Sequence, residues 1–248
     1  MIGKNIIRLT ETASTNTYAA TLLMAEKPVN GTLIFTTSQT NGRGQQNNTW
    51  ESESGKNLAV SVILYPDFIK PSEQFILNKI ISLAVLDFVR KNIPVSMSPK
   101  IKWPNDIYVG EKKIAGILIE NSISGNRIEY VIAGIGININ QEKFSKNIPN
   151  PVSLKLVSGK EFIIGNCLDE LCESLNARYM QLCRNDCELL NSEYLNNLYR
   201  YNLYSKYKVE DSFLFAKIVS VSEFGKLQLE NKEGKIFEFA FKEIEYVI

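Results

Sequence analysis

The stretch Lys100-Ile101-Lys102-Trp103-Pro104-Asn105-Asp106 carries the strongest structural signal in the chain. Proline has a fixed φ and disfavours helical geometry in the residue before it, so Pro104 predicts an extended run that ends in a turn. Lys102 is then expected at the end of a strand. Two interpretations of Lys102 are open at this point: a solvated lysine beside an ordinary Pro-Asn-Asp turn, and a cation placed for binding.

Apolar runs on both sides of this stretch alternate between strand-like and helix-like periodicity. Short extended runs flank Gly110-Glu111, which predicts a hairpin, and helical stripes separate other extended runs. This order favours an α+β fold with a mixed β-sheet covered by helices over a doubly wound parallel sheet. The predicted strands cover residues 32–37, 57–64, 107–109, 113–120 and 127–137, and the predicted helices cover residues 14–26, 71–91 and an apolar stripe from 168 to 182.

The polar segment Asn41–Trp50 combines two glycines, one cation and one indole. Gly42 and Gly44 allow main-chain N–H groups to approach a ligand closely, and Arg43 offers a planar fork for a phosphate or carboxylate. Trp50 would then enclose an apolar part of that ligand. The same composition is also typical of an ordinary surface hairpin tip, and Trp50 by itself would fit a plain core position.

A third segment, Ala133–Asn140, alternates small or polar residues with isoleucine. Alternate side chains of a strand point to opposite faces, so Gly134 and Gly136 leave one face without side chains. Such a strand predicts a floor beneath a bound molecule. The two glycines do not complete a dinucleotide fingerprint, and the sequence contains no Gly-x4-Gly-Lys-Ser/Thr phosphate loop.

The charge balance and the absence of histidine limit the chemistry. The chain of 248 residues has 28 Lys and Arg, 27 Asp and Glu, and no histidine. Balanced charge disfavours non-specific nucleic-acid binding, which depends on a strong basic excess. Without histidine, Ser-His-Asp and Cys-His catalysis and His-ligated metal sites are excluded within this chain. Lysine, arginine, carboxylates or the substrates must supply the chemistry, which favours a reaction such as adenylation.

Four cysteines and the hydropathy pattern bear on location. Cys167, Cys172, Cys183 and Cys187 fall in one predicted helical region, and their spacing fits neither zinc knuckles nor a secreted disulfide framework. The apolar stripe makes Cys172 a small core residue rather than a reactive thiol. No apolar run approaches the roughly 20 residues of a bilayer-spanning helix, and the N-terminus lacks a secretion signal. The sequence therefore predicts a cytoplasmic protein without a membrane partner.

With Ser14-Thr15-Asn16 upstream and Lys113-Ile114-Ala115-Gly116-Ile117-Leu118-Ile119-Glu120 between them, the three segments resemble, in order and spacing, the catalytic domain of biotin protein ligases. The resemblance runs from about Ser14 to the C-terminus. It implies the class II synthetase-like, biotin–lipoate ligase fold for a catalytic domain at residues 1–203. The family's optional DNA-binding module would precede Ser14, where residues 1–13 stand, so we expect the monofunctional type without DNA binding.

The chain changes character near residue 204. Short extended runs separated by Glu-Phe-Gly and Lys-Glu-Gly turns predict a small β domain at residues 204–248. It resembles the SH3-like β-barrel that follows the catalytic domain in the ligase family. The predicted strands cover residues 206–209, 214–221, 226–230 and 236–241.

The resemblance implies activation of biotin by ATP to biotinyl-5′-AMP with loss of pyrophosphate, then transfer of biotin to a lysine of a biotin carboxyl carrier domain of a biotin-dependent carboxylase. Lys102 and Arg43 are the expected catalytic cations. Magnesium is an expected cofactor with unassigned ligands, since Asn105 and Asp106 either position it or only form the turn. The expected biotin-binding residues are Ser14, Thr15, Gln39, Gly42, Arg43, Gly44, Trp50, Lys102, Gly116, Gly134 and Gly136, and the expected ATP-binding residues are Arg43, Trp50, Lys102 and Asn138.

Several alternatives stay open. Ser14 also fits a helix N-cap, and Gln39 a solvated strand-end residue. Lipoate or octanoate ligases share the implied fold and chemistry, although the Lys-Trp-Pro-Asn-Asp segment favours biotin. A catalytically silent biotin- or nucleotide-binding module is a further alternative, because many family members have two more cations and a glycine where this chain has Gln45, Asn47 and Asn48. The strand at 113–118 would align a carrier domain, form a homodimer edge or be paired internally.

Overall fold

The computed structural model describes residues 1–45 and 48–247. Within these residues the region before position 204 contains the strands β1 (Ile6–Arg8), β2 (Thr32–Thr36), β3 (Gly42–Arg43), β4 (Thr49–Trp50), β5 (Leu58–Leu64), β6 (Pro99–Lys102), β7 (Asp106–Val109), β8 (Lys112–Ser124) and β9 (Arg127–Ile137). Seven of them form one sheet in the order β1-β2-β5-β9-β8-β7-β6, while β3 and β4 pair as a separate short hairpin. β1 and β2 are parallel and the other neighbouring pairs are antiparallel, which confirms the predicted mixed sheet.

The helices in the described residues are α1 (Thr15–Ala25), α2 (Phe75–Asn92), α3 (Leu154–Ser158), α4 (Ile164–Cys183) and α5 (Cys187–Asn196). α2 is buried along most of its length because it packs against α4, α5 and the sheet. α4 buries Leu168, Leu171, Leu175 and Leu182, as its apolar stripe predicted. A mixed sheet with flanking helices is the α+β architecture expected from the sequence.

The two faces of the larger sheet are covered by different helices. Because alternate strand residues point to opposite faces, Leu33 and Val62 join the main core with α2, whereas Ile34 and Ile63 meet α1 in a smaller cluster. On the α1 face, β5 continues from Ile63 to Ser61, and β9 continues from Ile132, in the same small cluster, to Gly134. The α1 face therefore changes from an apolar surface under the helix to a polar, side-chain-poor surface beyond its first turn.

A second sheet contains β10 (Ser205–Val209), β11 (Ser212–Val221), β12 (Leu227–Asn231), β13 (Ile236–Phe239) and β14 (Glu245–Tyr246). Its antiparallel strands follow the order β13-β12-β11-β10-β14. One face is buried against the main core through Tyr207, Ala216, Ile218, Leu227 and Leu229. In the described part of the chain this sheet is open, with β13 and β14 at its edges, so the predicted SH3-like barrel is not confirmed. The division into domains at residues 203 and 204 stays a prediction.

The four cysteines lie in the predicted helical region, which the structure divides into two helices. Asn185 adopts a left-handed φ of 64° that ends α4, and Cys187 begins α5. A short polar side chain tolerates this geometry, which an apolar stripe cannot reveal. Cys172 lies in the core as predicted, and burial raises the pKa of its thiol to about 11.

The strand at 113–118 is paired internally over most of its length, which is one of the three alternatives that the sequence left open. Lys113, Ala115 and Gly116 are in register with β7, and β9 borders the other side of β8. Among the described residues, the outer edge of β8 lacks a strand partner from Ile117 onward. As for membranes, the described helices include none that is both long and apolar enough to span one.

Candidate active site

A cavity of about 590 Å³ opens on the α1 face of the larger sheet, where β9 passes through its glycines. It is surrounded by the start of α1, the β3–β4 hairpin, the β6–β7 turn, β8 and the segment after β13. Its size lies in the range of about 300–1,000 Å³ that is typical of small-molecule sites. The predicted residues that line it are Ser14, Thr15, Gln39, Arg43, Gly44, Trp50, Lys102, Gly116, Gly134 and Gly136.

One end of the cavity is a buried polar network at the start of α1. Gln39 Oε1 accepts hydrogen bonds from Thr15 N at 2.8 Å and from Thr15 Oγ1 at 3.2 Å, so Gln39 is not merely a solvated strand end. Ser61 Oγ donates to Asn16 Oδ1 at 2.6 Å and lies 2.8 Å from Thr15 Oγ1. Ser14 is the N-cap residue by its backbone angles, but its side chain makes no capping hydrogen bond. Its hydroxyl therefore does not serve the helix.

The glycines of the floor make room for side chains of the protein itself. Gly116 and Gly136 are paired across β8 and β9, and the indole of Trp50 lies on this pair. A Cβ at Gly136 would lie 2.4 Å from Trp50 Cε2, and a Cβ at Gly134 would lie 2.2 Å from Asn16 Oδ1. Trp50 Nε1 is buried without a hydrogen-bond partner among the described residues. The indole therefore covers the floor, and its N–H group remains available as a hydrogen-bond donor.

Arg43 projects from the β3–β4 hairpin toward the end of the floor. Its guanidinium forms an ion pair with Glu120 at 2.9 Å, and Glu120 also accepts a hydrogen bond from Asn16 Nδ2 at 2.7 Å. The side chains of Arg43 and Glu120 are 46% and 34% exposed. Such an exposed pair is weak and can open without a large cost in free energy.

Two lysines also line the cavity. Lys102 Nζ donates to Tyr108 Oη at 3.2 Å and lies 4.8 Å and 5.1 Å from the ring centroids of Tyr108 and Tyr246. Lys113, which the sequence analysis did not select, pairs with Asp106 at 2.7 Å and lies over the Trp50 ring at 5.7 Å. The signal for Lys113 was its place in the motif beside Gly116.

Burial of Lys102 affects its charge. Burial lowers the pKa of Lys102, Asp106 opposes this shift, and the nearby cations Lys113 and Arg200 add to it. Burial also raises the pKa of Tyr108, so this hydroxyl stays protonated beside the ammonium group. An anion bound between Lys102 and Lys113 would relieve the repulsion between the two cations.

The turn between β6 and β7 is held from three directions. Asn105 Nδ2 donates to the carbonyl of Ile117 and Tyr194 Oη to that of Pro104, the latter at 2.9 Å. Trp103 Nε1 donates to the carbonyl of Gly225 in the second sheet at 2.9 Å. Lys102 ends β6 before this turn, as predicted, and the contacts of the turn place its ammonium group at the cavity.

The second sheet completes the cavity, which the sequence analysis missed. Phe241, Ile244 and Tyr246 line it, and Tyr246 borders Lys102. These residues lie far from the motifs along the chain, and no local pattern marks them. Their role depends on how the second sheet packs against the first.

Two predicted residues do not line the cavity. Gly42 is buried in the hairpin, where a Cβ would lie 2.3 Å from the carbonyl oxygen of Trp50. Asn138 is buried beyond the floor and donates from Nδ2 to the carbonyl of Val152 at 3.0 Å. Its proposed contact with adenine stays a prediction. The loop substitution at Asn47 lies outside the described residues.

Candidate metal ligands are sparse. The described residues contain no group of three or more Cys, Asp or Glu side chains that could hold a metal ion. Asp106, one of two residues considered for magnesium, is paired with Lys113, and Asn105 binds the main chain of β8. The carboxylates of Asp106 and Glu245 border the cavity.

Comparison with known proteins identifies the family. Residues 9–138, a little over half of the chain, match the biotin/lipoate A/B protein ligase family. The bifunctional ligase/repressor BirA of Bacillus spizizenii is 27% identical over 240 residues, which cover 94% of this chain and 72% of that protein. The biotin–[acetyl-CoA-carboxylase] ligase of Paracoccus denitrificans is 32% identical over 133 residues, which cover 53% of each protein.

A solved structure extends the similarity to both sheets. The biotin protein ligase from Aquifex aeolicus in complex with biotin and ATP superposes with a TM-score of 0.80 at 26% identity, covering 98% of this chain and 100% of that one. The similarity confirms the resemblance to biotin protein ligases and the prediction of an enzyme of the ligase class. The chain therefore belongs to the biotin/lipoate A/B protein ligase family.

Proposed function

We propose that this chain activates biotin with ATP to biotinyl-5′-AMP, releasing pyrophosphate, and then transfers the biotinyl group to a lysine of a biotin carboxyl carrier domain. The observation that carries the proposal is that Arg43, Lys102 and Lys113 face one cavity with a floor of bare backbone. A carboxylate and a triphosphate repel each other, and cations held at the meeting point offset that repulsion. The proposal is supported by the biotin ligase relatives.

The polar end of the cavity suits the ureido ring of biotin. This ring presents two N–H donors and one carbonyl acceptor, and a buried site must match them. Thr15 and Gln39 offer hydroxyl and amide groups there, and Ser14 adds a hydroxyl that is free of capping. The aliphatic chain of biotin would then run over the glycine floor, where Trp50 rests. A ligand that uses this floor displaces the indole, which closes over the ligand from above.

In the first half-reaction a carboxylate oxygen of biotin attacks the α-phosphorus of ATP. The new bond joins that oxygen to phosphorus, and the bond from the α-phosphorus to the oxygen bridging it to the β-phosphate breaks as pyrophosphate leaves. Lys102 and Lys113 neutralise charge around the reacting groups, while Arg43 exchanges Glu120 for a phosphate oxygen. Magnesium would enter as a companion of ATP; the carboxylates of Asp106 and Glu245, which border the cavity, would hold it, and it would neutralise phosphate charge.

In the second half-reaction the amine of the acceptor lysine attacks the carbonyl carbon of the adenylate. An amide bond forms, the mixed anhydride bond breaks, AMP leaves with the bonding electron pair, and the attacking nitrogen loses a proton. Lys102 and Lys113 stabilise the departing phosphate. A homodimer and a cytoplasmic location stay expectations from the sequence.

The experiment supplies the purified chain with magnesium, ATP and one acid at a time: biotin, lipoate or octanoate. Pyrophosphate release is measured without a carrier, and the mass of an apo carrier domain is measured after its addition. We expect release and a mass gain of one biotinyl group with biotin alone. A preference for lipoate or octanoate would mean that this acid, and not biotin, is the substrate. Biotin binding without pyrophosphate release would indicate a silent binding module.

A further inference from the structure

A second cavity of about 340 Å³ continues from the first and lies between the second sheet, the start of α2 and the middle of β8. We refer to it as the side groove. Gln45, Trp103, Pro104, Leu118 and Phe241 line both cavities, so the two spaces share a wall. Whatever occupies the side groove lies next to the reacting groups of the first cavity.

The lining of the side groove is apolar with two unsatisfied acceptors. Phe75, Ile119 and Phe224 contribute apolar surface, and Phe224 at the rim is 72% exposed. Gln45 Oε1 and Asn78 Oδ1 are buried and have no hydrogen-bond partner among the described residues. Buried acceptors without partners have lost their hydrogen bonds to water and gained none from the protein. A ligand with N–H donors is therefore favoured here.

We propose that the side groove binds the carrier segment next to the acceptor lysine, with an apolar side chain against Phe75 and Phe224 and main-chain N–H groups on Gln45 and Asn78. The inference rests on the proposed function, which requires the acceptor lysine to enter the first cavity. Neighbouring Cα atoms are about 3.8 Å apart, so residues beside a lysine that enters along the shared wall lie within reach of the side groove.

The volume and the charge of the side groove both favour a polypeptide ligand over a second nucleotide. A liquid water molecule takes about 30 Å³, so the groove has room for on the order of ten waters, or for one large side chain with its peptide groups. Lys226 is the one charged residue among the described residues that line it, which disfavours a second nucleotide. A peptide supplies both the apolar group and the donors that this lining requires.

The test measures the two half-reactions separately in Phe224→Asp and in Asn78→Leu, which removes an acceptor at similar volume. We expect pyrophosphate release without carrier to be unchanged and the KM for an apo carrier domain to rise about tenfold in each variant. Phe213→Asp is the matched control, because Phe213 is 59% exposed and lies in β11 of the same sheet, away from both cavities.

A carrier variant sharpens the test. In this variant, serine replaces the apolar residues that flank the acceptor lysine. It should raise the KM of the wild-type enzyme for the carrier, but it should raise the KM of Phe224→Asp little further, because that contact is already lost. An unchanged KM for the carrier in both enzyme variants would overturn the inference, as would impaired pyrophosphate release in Phe224→Asp. If the wild-type chain itself releases no pyrophosphate with biotin, the proposed function fails instead.

Discussion

The floor and the hairpin wall of the cavity are held by different kinds of contact. On the floor side, the β6–β7 turn is tied down by hydrogen bonds from Trp103, Asn105 and Tyr194, all of them buried. On the hairpin side, Arg43 is held by an ion pair with Glu120 that is open to solvent on both sides. Buried hydrogen-bonded contacts are costly to break, whereas exposed ion pairs contribute at most about 1 kcal/mol.

This difference separates two tasks that one site must perform. Chemistry requires cations in fixed positions, and Lys102 and Lys113 stand on the rigid side. Admission and retention of ligands require motion, and Arg43 stands on the weakly held side. The chain departs from the common family pattern at Gln45 and Asn48, on the wall where contacts are weak. Changes on the floor should therefore have larger effects than changes on the hairpin.

The largest effect is expected at the floor lysines. Lys102→Ala and Lys113→Ala should each slow biotin-dependent pyrophosphate release about a hundredfold, because a lost transition-state donor costs roughly 3 kcal/mol. Lys208→Ala, an exposed lysine on the second sheet, is the control and should behave as wild type. If Arg43→Ala slows the reaction more than both floor variants, the hairpin takes a larger part in the chemistry than we infer.

Substitution of a glycine in the floor should have the next largest effect, and this effect is on the free energy of unfolding, because the floor is tightly packed. Gly136→Ala places a Cβ 2.4 Å from Trp50 Cε2, so the indole must leave its position. Overpacking of this kind typically costs about 1–3 kcal/mol of unfolding free energy, measurable by urea denaturation. Gly165→Ala is the control, since nothing lies within 4 Å of its Cβ position. Equal stability of the two variants would mean that the indole does not hold the floor in solution.

A smaller effect is expected from pH. Because burial lowers the pKa of Lys102 below the usual value for a lysine, its ammonium group is lost at lower pH than that of an ordinary lysine. Attraction for ATP is present at neutral pH and declines as the pH rises through this lowered pKa. A lysine whose pKa is lowered in the folded state destabilises the fold most below that pKa, and this destabilisation decreases as the pH rises. Weaker binding of ATP at high pH would therefore not result from unfolding caused by Lys102.

The pH prediction is checked by the alkaline limb of kcat/KM for ATP. Lys102→Arg should move that limb to higher pH, because a guanidinium keeps its proton. A limb at the same pH in wild type and Lys102→Arg would assign the titration to another group. Retained near-UV circular dichroism across the limb would show that the fold persists.

Local patterns predicted the framework and the floor because both depend on short-range constraints. Strand alternation located β9, and Pro104 located the turn after Lys102. The sequence motif contains Lys113, but its contact with Trp50 joins positions that are distant along the chain and required the folded structure. Local sequence patterns could not predict Tyr246 and Phe241 as cavity residues for the same reason, because they reach the cavity through the packing of one sheet on another. The SH3-like barrel, which the family resemblance implied, is not confirmed in the described residues, because short apolar runs predict strands but not which edges meet.

The smallest effect is expected on the hairpin itself, at Gln45. Gln45→Arg restores a cation that many family members have at this position, and Gln45 lines the cavity that would hold the adenylate. Added positive charge near an exposed phosphate in solvent is worth little, so we expect biotinyl-5′-AMP to dissociate only a few times more slowly. The rate is measured without carrier by chasing labelled adenylate with excess biotin.

Asn41→Arg is the matched control for this last change, because it adds the same charge to an exposed residue just before β3 that does not line the cavity. If position matters, Gln45→Arg slows dissociation and Asn41→Arg does not, and the difference shrinks at high salt because the added charge is partly screened. Equal slowing in both would mean that net charge rather than placement retains the adenylate. A hundredfold slowing by Gln45→Arg would contradict the division of tasks, since a weakly held wall cannot position a single cation so firmly.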